Sequence, residues 1–210
     1  MTYLKEMVEQ GYNVESVGTF YRIMIPHLVG SLIRTRNDLI VDVGAGHGHW
    51  TIPLKDAGYS NIAIIDIEDV NFDLFVKSYQ FQCFKCDVQR DCFPIGDGEA
   101  ELVIGSHLIE HLNDPTNFLK ESFRVLSLGG TIILVTPNWR KQYRTFYRDP
   151  THVHPYDREG IARLLRITGF TDIATQSWGS SYGLGRLQAY RWIPRLGMIG
   201  KDLLAIGRKG

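Results

Sequence analysis

Three glycines at alternating positions follow a short apolar run and an acidic residue in the first quarter of the chain. The segment 39–50 reads LIVDVGAGHGHW, in which Asp42 precedes Gly44, Gly46 and Gly48. Glycine admits positive φ angles and lets a ligand approach the backbone where a Cβ atom would block it. A structural turn needs only one or two glycines, so three at this spacing after an acid predict a ligand-binding loop between a strand and a helix.

A second acid, Asp66, ends the next apolar run of the chain, 62–66. An acid at the end of a second strand can accept both hydroxyl groups of a ribose, as in nucleotide-binding folds generally. The alternative interpretation is that Asp66 caps a helix that begins near Val70. The loop departs from the dinucleotide fingerprint Gly-x-Gly-x-x-Gly because His49 stands at the third glycine position, which disfavours a nicotinamide-dependent dehydrogenase.

Histidines form the second group of candidate residues. Four stand where they can act on a bound molecule: His107, His111, His152 and His154. Histidine is the usual proton acceptor near neutral pH, although a single histidine is more often a structural hydrogen-bonding residue. Two prolines favour an extended conformation for 149–156, which places His152 and His154 on the same side of it. That side is expected to face the pocket mouth opposite His107 and Glu110.

The elements that must position these residues alternate along the chain. Predicted strands cover 39–43, 62–66, 81–85, 101–105, 131–136, 171–176 and 203–207, and predicted helices cover 47–57, 70–78, 115–127, 157–168 and part of 2–36. Gly129-Gly130 is expected to stop the third of these helices, while Asp157 and Gly169 are expected to cap the fourth. Strand–helix alternation predicts a parallel sheet that binds ligands beyond the carboxyl ends of its strands, with antiparallel pairing of the last two strands.

The composition bounds the class of protein. The chain has 210 residues, of which 44% are hydrophobic and 22% are charged, which is typical of one globular domain. The 23 basic and 23 acidic residues cancel, so the charge gives no reason to expect bulk nucleic-acid binding. The first residues lack the layout of a secretory signal and no apolar run approaches a membrane span, so we expect a cytoplasmic protein.

The glycine loop opens a series of motifs that together resemble the class I S-adenosylmethionine-dependent methyltransferases. After DVGAGHG at 42–48 come IAIIDI at 62–67, CDV at 86–88, ELVIGSHLIEHL at 101–112, ESFRVLSLGG at 121–130, TPN at 136–138 and GF at 169–170. Leu128 replaces the proline that is usual in the fifth motif. The resemblance covers residues 38–177 and implies an α/β, Rossmann-like fold: a seven-stranded, mostly parallel sheet with an antiparallel last strand and helices on both faces.

The resemblance also implies that S-adenosylmethionine is the methyl donor. The implied cofactor-binding residues are Asp42, Gly44, Ala45, Gly46, Gly48, Asp66, Ile67, Asp87, Val88, Ser106 and His107. In that assignment the loop admits the methionine and ribose portions. Asp42 orients the loop and the ligand ammonium group, directly or through water, and Asp66 takes the ribose hydroxyls. The residues at 67, 87 and 88 contact the adenine, and those at 106 and 107 line the methionine end and the acceptor pocket.

Methyl transfer asks little covalent chemistry of the protein, because a sulfonium is already a good electrophile and the site mainly aligns an acceptor behind the methyl group. An oxygen or nitrogen acceptor also needs its proton removed or oriented. We expect His107 and His152 to approach the methyl group more closely than His47 and His49, and one of them to act as the base or acceptor-orienting group. His47 and His49 are expected to belong to the cofactor loop and the first helical turn.

A metal site is an open question in the sequence. His107, Glu110, His111 and the later His152 resemble the metal-binding arrangement of small-RNA terminal 2′-O-methyltransferases and some quinone-pathway O-methyltransferases. Those enzymes carry Glu-x-x-Glu-His, so this chain departs at His107. Three imidazoles and one carboxylate suit zinc, manganese or iron better than magnesium. Because Glu-His also recurs in family members without a metal, we expect no metal from the sequence alone.

The sequence does not determine the chemical class of the methyl acceptor. Members of this family type methylate small metabolites, quinones, lipids, sugars, proteins and RNA. Zero net charge disfavours RNA, so we expect a small-molecule or glycan hydroxyl first and a lipid or quinone second. The alternative functions are a non-catalytic S-adenosylmethionine-binding subunit or regulator and, third, an NAD(P)-dependent oxidoreductase.

The motifs lead us to expect one methyltransferase domain over the whole chain, 1–210. It divides into an N-terminal helical cap at 1–36 and a core at 37–210, with acceptor-side insertions near 138–156 and 178–200. The cations and aromatic rings of the first insertion suit either a clamp for a phosphate, carboxylate or sugar or a solvated lid. The apolar second insertion is open to three interpretations, namely a pocket cover, a homodimer surface and a peripheral membrane contact.

Overall fold

Seven strands form one mixed sheet in the computed structural model, which describes residues 18–179 and 200–210. The strands are β1 (Leu39–Val43), β2 (Ile62–Asp66), β3 (Gln82–Lys85), β4 (Ala100–Ser106), β5 (Leu126–Pro137), β6 (Phe170–Trp178) and β7 (Asp202–Lys209). Their order across the sheet is β3-β2-β1-β4-β5-β7-β6. Strand β7 is antiparallel to β5 and β6, and the other neighbouring pairs are parallel. The predicted fold class is confirmed.

Helices lie before β1 and in several of the connections between the strands. They are α1 (Thr19–Val29), α2 (Thr51–Asp56), α3 (Phe72–Leu74), α4 (Thr116–Val125), α5 (Trp139–Gln142) and α6 (Arg158–Thr168). A π-helical turn (Phe75–Tyr79) continues α3, and short 3-10 turns cover Ile109–His111 and Phe146–Arg148. The predicted caps of α6 are confirmed, because the Asp157 carboxylate accepts from the Gly160 N–H and Gly169 ends the helix in the left-handed conformation. Within the described ranges, no helix is long and apolar enough to cross a membrane.

The sheet separates two apolar layers. Side chains alternate along β1, so Val41 and Val43 enter one layer and Ile40 enters the other. Helices α4 and α6 cover the first layer, and Leu119 and Leu165 are their buried contributions. Helices α1 and α2 cover the second layer. Strands β1 and β2 are therefore buried on both faces, which explains why their sequences are almost continuously apolar.

The first predicted helix boundary is wrong at its start. The helix predicted for 47–57 begins only at Thr51, because the chain makes successive turns over 45–50. Gly46 and Gly48 both have positive φ angles within those turns, which is incompatible with continuing a right-handed helix. The loop that precedes α2 is therefore longer than the sequence predicted.

The prediction that Gly129-Gly130 stops a helix is also wrong. The helix predicted for 115–127 ends at Val125, and the chain enters β5 at the next residue. The pairing of β5 with β4 then slips in register, and Gly129 has a φ of 80° within the slip. The two glycines form an irregular, bulged start to a strand, which is a second common use of glycine with positive φ.

Two of the predicted segments lie partly outside the described residues. The expected cap at 1–36 is described from residue 18 onwards, where α1 packs beside α2. Most of the insertion at 178–200 falls outside the described ranges. The single-domain assignment and the interpretations of the second insertion stay predictions.

Arg124 of helix α4 is hydrogen-bonded to the loop between β3 and β4. Its guanidinium donates to the backbone carbonyls of Phe93 and Ile95, each at 3.0 Å, and pairs with the Glu121 carboxylate at 2.6 Å. The same carboxylate accepts from the Phe93 N–H at 2.7 Å. The Arg124 hydrogen bond, the Phe93 N–H bond and the Arg124 charge hold the pKa of Glu121 below its usual range, although burial opposes them. This network fixes the start of β4, whose carboxyl end belongs to the site.

We expect Arg124→Met to lower the free energy of unfolding by about 2–4 kcal/mol at pH 7, since it leaves Glu121 largely buried without its cation. A depressed carboxylate pKa contributes stability above the unfolded value of about 4.3 and loses it as the pH falls. The difference in unfolding free energy between wild type and variant should therefore narrow below pH 4. Urea unfolding measures this free energy, and Arg163→Met on the exposed face of α6 is the matched control. Equal losses of stability in both variants would contradict the stabilising role of the Arg124 network.

Candidate functional site

The predicted cofactor residues meet at one edge of the sheet. Strands β1, β2 and β4 are parallel neighbours, with Asp42 in register with Ile64 of β2 and Ile104 of β4. Asp66 and Ser106 are the last residues of β2 and β4, so they lie beyond Asp42 at the same edge. The carboxyl edge of a parallel sheet is where folds of this class bind ligands.

The glycine loop has the backbone conformation that the sequence predicted. Gly44, Gly46 and Gly48 have φ angles of 70°, 54° and 74°. A Cβ atom on Gly44 would lie 2.9 Å from Leu108 Cδ1, and one on Gly48 would lie 3.0 Å from Ile52 Cδ1. A side chain at either position would crowd the tip of a neighbouring side chain, which adds a smaller packing reason to the backbone one.

Asp66 ties the loop to the end of β2. Its Oδ2 atom accepts from the Gly46 N–H at 3.1 Å, and its Oδ1 atom accepts from the Glu68 N–H at 3.0 Å. Burial raises the pKa of this carboxyl, while the two N–H bonds oppose the rise. Helix α3 begins after Asn71, which excludes Asp66 as its cap. Each carboxylate oxygen keeps a further lone pair, so the residue can still accept from a ligand.

Asp42 is the most unusual acid of the site. It is 2% exposed, and its Oδ2 atom has no hydrogen-bond partner within the described residues. Burial, together with the nearby charge of Asp66, raises the pKa of Asp42 to about 8. A buried carboxyl in this state is satisfied by a proton, by hydrogen-bond donors of a ligand or by a cation placed next to it.

The buried polar atoms without partners are concentrated near the loop. In the described part of the chain, the ones between residues 42 and 51 are Asp42 Oδ2, His47 Nε2, His49 Nε2, Trp50 Nε1 and Thr51 Oγ1. The ring of His49 stacks on Tyr21 of α1 at 5.8 Å, and burial lowers the pKa of both loop histidines. An ionised Asp42 Oδ2 can only accept and therefore suits a positively charged ligand group, which the implied cofactor has, whereas Trp50 packs within the second apolar layer.

The three residues predicted to contact the adenine differ in how well their surroundings suit that role. Ile67 is 58% exposed and offers an apolar surface directly after Asp66. Asp87 lies two residues beyond β3, where its carboxylate accepts from the Gln89 N–H and pairs with Arg90. Val88 is only 7% exposed because it packs into the core. The roles predicted for Asp87 and Val88 stay predictions.

His107 begins the acceptor side of the site. It follows β4 in the left-handed conformation, with a φ of 51°, which is uncommon for a residue other than glycine. Its Nδ1 atom lies 3.2 Å from Glu110 Oε1, and its Nε2 atom lies 3.7 Å from Asp202 Oδ2. Burial lowers the pKa of His107, but the hydrogen bond to Glu110 and the charges of both acids outweigh it and raise the pKa to about 9.

Asp202 is a site residue that the sequence reasoning missed. It is the first residue of β7, and Gln142 of α5 donates to its Oδ1 atom at 3.1 Å. Because β7 is antiparallel to β5, its first residue lies at the same edge as the last residues of the parallel strands. The sequence offers only an acid directly before the predicted strand 203–207, which does not mark a site by itself.

The segment 149–156 docks onto the turn that follows His107. The Val153 and His154 N–H groups both donate to the Glu110 carbonyl, at 2.8 and 3.2 Å. The His152 ring lies 4.8 Å from the His111 ring, beside the turn that carries Glu110. That His152 faces the pocket mouth stays a prediction. His154 has a different partner, because its Nε2 atom lies 3.0 Å from the Asn113 carbonyl.

Aromatic rings connect His152 to the protein surface. The Phe146 ring packs 4.6 Å from His152, and the Trp139 ring packs 5.7 Å from Phe146. Tyr147 contacts both Phe146 and Trp139 and is 60% exposed. We call Trp139, Phe146 and Tyr147 the aromatic ladder. It gives the acceptor side an apolar wall that runs from the solvent to the histidines.

Sequence comparisons place these features among known proteins. A family model described as a methyltransferase domain matches residues 26–175. The 2-methyl-6-phytyl-1,4-hydroquinone methyltransferase of Spinacia oleracea is 26% identical over 170 residues, which is 80% of this chain and 47% of that protein. A probable S-adenosylmethionine-dependent methyltransferase of Mycolicibacterium smegmatis is 32% identical over 99 residues, covering 46% of this chain and 38% of that protein. The chain thus spans less than half the length of these curated relatives.

Solved structures show the same fold. A SAM-dependent methyltransferase from Archaeoglobus fulgidus matches with a TM-score of 0.72 at 21% identity, covering 99% of this chain and 100% of that one. Phosphoethanolamine N-methyltransferase 2 of Haemonchus contortus, in complex with S-adenosyl-L-methionine, matches with a TM-score of 0.64 at 12% identity. That match covers 100% of this chain and 60% of the other.

We expect the buried acid to make the ligand-free protein sensitive to pH. The folded pKa of Asp42, about 8, exceeds the unfolded value of about 3.9, so the stability of its protonated form is lost as the pH rises through 8. Asp42→Asn removes that loss, and its melting temperature should exceed that of wild type by more at pH 9 than at pH 5. Asp73→Asn, on an exposed acid, is the control and should show a small, constant difference. If the melting-temperature difference from wild type were the same at pH 5 and pH 9 for both variants, the raised pKa of Asp42 would be contradicted.

Proposed function

The chain belongs to the methyltransferase domain family, and we propose that it transfers the methyl group of S-adenosylmethionine to a small molecule that carries a hydroxyl group. The observation that carries the proposal is the buried Asp42 beside Asp66 and the glycine loop, since no described residue is hydrogen-bonded to its Oδ2 atom. A cation would stabilise the ionised carboxylate in this place, and the methionine end of the cofactor presents an ammonium group.

Different residues at the carboxyl edge bind different parts of the cofactor. Asp42 pairs with the ammonium group, and the loop containing Gly44, Ala45, Gly46 and Gly48 faces the methionine and ribose portions. Asp66 accepts from the ribose hydroxyls. Ile67, Asp87 and Val88 face the adenine, and Ser106 lies toward the methionine end. When bound, the cofactor supplies an electrophilic methyl group, so the chain has only to hold an acceptor in line with it.

The acceptor side supplies orientation. His107 Nδ1 lies 3.2 Å from Glu110 Oε1, whereas Nε2 lies 3.7 Å from Asp202 Oδ2, beyond hydrogen-bond distance. The hydrogen bond to Glu110 and the charges of both acids raise the pKa of His107 to about 9, so its Nε2–H can donate to an acceptor oxygen. This favours His107 as the acceptor-orienting group of the predicted pair His107 and His152. A donor beside the acceptor oxygen fixes the direction of its lone pair, which contributes through alignment.

A hydroquinone is the second candidate acceptor. The relatives from Spinacia oleracea and Arabidopsis thaliana are both 2-methyl-6-phytyl-1,4-hydroquinone methyltransferases, each 26% identical to this chain. The aromatic ladder gives such a ring an apolar wall beside His152. Release of S-adenosylhomocysteine, screened over hydroquinones, sugars and phosphoethanolamine as an amine control, separates these classes. Tight cofactor binding without turnover of any acceptor would instead favour a non-catalytic cofactor-binding subunit.

We expect calorimetry to show saturable binding of S-adenosylhomocysteine and none of NAD. Asp66→Ala should weaken the affinity by about 10–100-fold, since it removes a charged acceptor for the ribose hydroxyls. Asp73→Ala, which removes an exposed acid from α3, should leave it unchanged. Binding of NAD alone would replace the proposal with a dehydrogenase, and unchanged affinity in Asp66→Ala would remove that residue from the site.

We expect His107→Asn to lower turnover by about 10²–10⁴-fold while leaving cofactor affinity within a factor of about three. Asparagine tolerates the left-handed backbone at this position, so the change tests the imidazole rather than the turn. His27→Asn, on the exposed part of α1, is the matched control. Full turnover in His107→Asn would show that another group orients the acceptor.

A further inference from the structure

Glu110, His111 and His152 bring one carboxylate and two imidazoles together on the acceptor side. One ligand atom from each residue lies within 4.8 Å of the other two, and these three residues come from two separate segments of the chain. We propose that this cluster binds a divalent transition-metal ion. The three residues are called the Glu-His-His cluster below.

Glu110 offers an oxygen that the protein itself does not use. The residue is 0% exposed, and its Oε1 atom faces His107 at 3.2 Å, while its Oε2 atom has no hydrogen-bond partner within the described residues. A fully buried carboxylate oxygen without a partner is costly and is normally satisfied by a proton donor or a metal ion. The neighbouring imidazoles of His111 and His152 are the groups that would share that ion.

Hydrogen bonding fixes which nitrogen of His152 is available. Its Nδ1 atom lies 2.8 Å from the Phe146 carbonyl oxygen, which can only accept, so Nδ1 carries the proton. The lone pair of the neutral ring is then on Nε2. A metal-binding histidine is typically oriented in this way, with its other N–H donated to a backbone carbonyl.

His111 is oriented through a relay of two further residues. Its Nδ1 atom lies 2.8 Å from Thr151 Oγ1, and Thr151 Oγ1 lies 2.5 Å from Asp149 Oδ1. The carboxylate can only accept, so the threonine hydroxyl donates to Asp149 and accepts from His111 Nδ1–H. The lone pair of His111 is therefore on Nε2, as it is in His152. Both rings are held in the tautomer that binds a metal through Nε2.

The donor set selects the class of ion. Two imidazoles and one carboxylate suit zinc and neighbouring transition metals, with bonds of about 2.0–2.2 Å, whereas magnesium and calcium prefer oxygen ligands alone. Asp149 adds negative charge, since its Oδ2 atom lies 3.8 Å from His152 Nε2. Three protein ligands leave coordination positions open to a small molecule. If the proposed function holds, those positions would take oxygen atoms of the acceptor, a consequence that rests on the methyl-transfer proposal.

Metal binding can be tested without cofactor or acceptor. The chelator-treated protein is titrated with Co²⁺ and Zn²⁺, and the bound metal is followed by the visible absorption of Co²⁺ and by calorimetry. We expect a single ion per chain and no binding of Mg²⁺. His152→Ala and His111→Ala should each weaken Co²⁺ binding by at least about tenfold. His154→Ala, in the same segment but bonded to Asn113, is the matched control and should bind Co²⁺ as wild type does.

Two further measurements keep the outcome decisive. Thr151→Val keeps all three ligands but removes the relay to Asp149, so it should weaken Co²⁺ binding by about 10–100-fold without changing the circular dichroism spectrum. S-adenosylhomocysteine affinity is measured in every variant, since loss of metal binding with retained cofactor binding separates this site from the proposed function. Binding of Co²⁺ and Zn²⁺ that is absent, or equal in wild type and both histidine variants, would overturn the proposal and leave the cluster as a hydrogen-bonded support for the 149–156 segment.

Discussion

The site depends on one electrostatic constraint: the sheet buries the Asp42 carboxyl at its carboxyl edge, and within residues 18–179 and 200–210 no group is hydrogen-bonded to its Oδ2 atom. Asp42 lies between apolar neighbours on β2 and β4, and the charge of Asp66 adds to the cost of ionising it. The N–H groups of the three loop glycines donate to Asp66 and to carbonyl oxygens, and burial disfavours the cationic form of His47 and His49. The fold thus disfavours the ionised form of Asp42 in the free protein, and a cationic ligand would stabilise that form.

The same edge carries two chemically different halves. Toward β2 and β3 the groups are acids, loop N–H groups and the exposed Ile67, which suit a nucleoside with a charged amino acid end. Toward β5 and β7 they are histidines, Glu110 and the aromatic ladder. His107 stands between the halves, because β4 ends between them and its left-handed turn directs the chain into the Glu110 turn. The order of strands in the sheet therefore places the proposed donor and acceptor side by side.

Much of the fold and of the cofactor side could be predicted from the sequence, because both rest on local patterns. Buried parallel strands are continuously apolar, and the loop after β1 is marked by alternating glycines, so β1 and β2 have the predicted bounds. The prediction that Gly129-Gly130 ends a helix was wrong because glycine with positive φ occurs in strand bulges as well as at helix ends. Asp202 and Thr151 could not be found locally. Each reaches a histidine far away in the chain, and only the antiparallel pairing of β7 and the docking of 149–156 bring them there.

The central claim is that the ammonium group of the bound cofactor stabilises the ionised form of the buried Asp42. The most direct measurement is the number of protons released when S-adenosylmethionine binds at pH 7, obtained by calorimetry in buffers of different ionisation enthalpy. Since the pKa of Asp42 is about 8 in the free protein, most of it is protonated at pH 7 and must ionise to pair with the ammonium group. We expect release of close to one proton, and none in Asp42→Asn. Tight binding of S-adenosylmethionine with no proton released by the wild-type protein would contradict the claim.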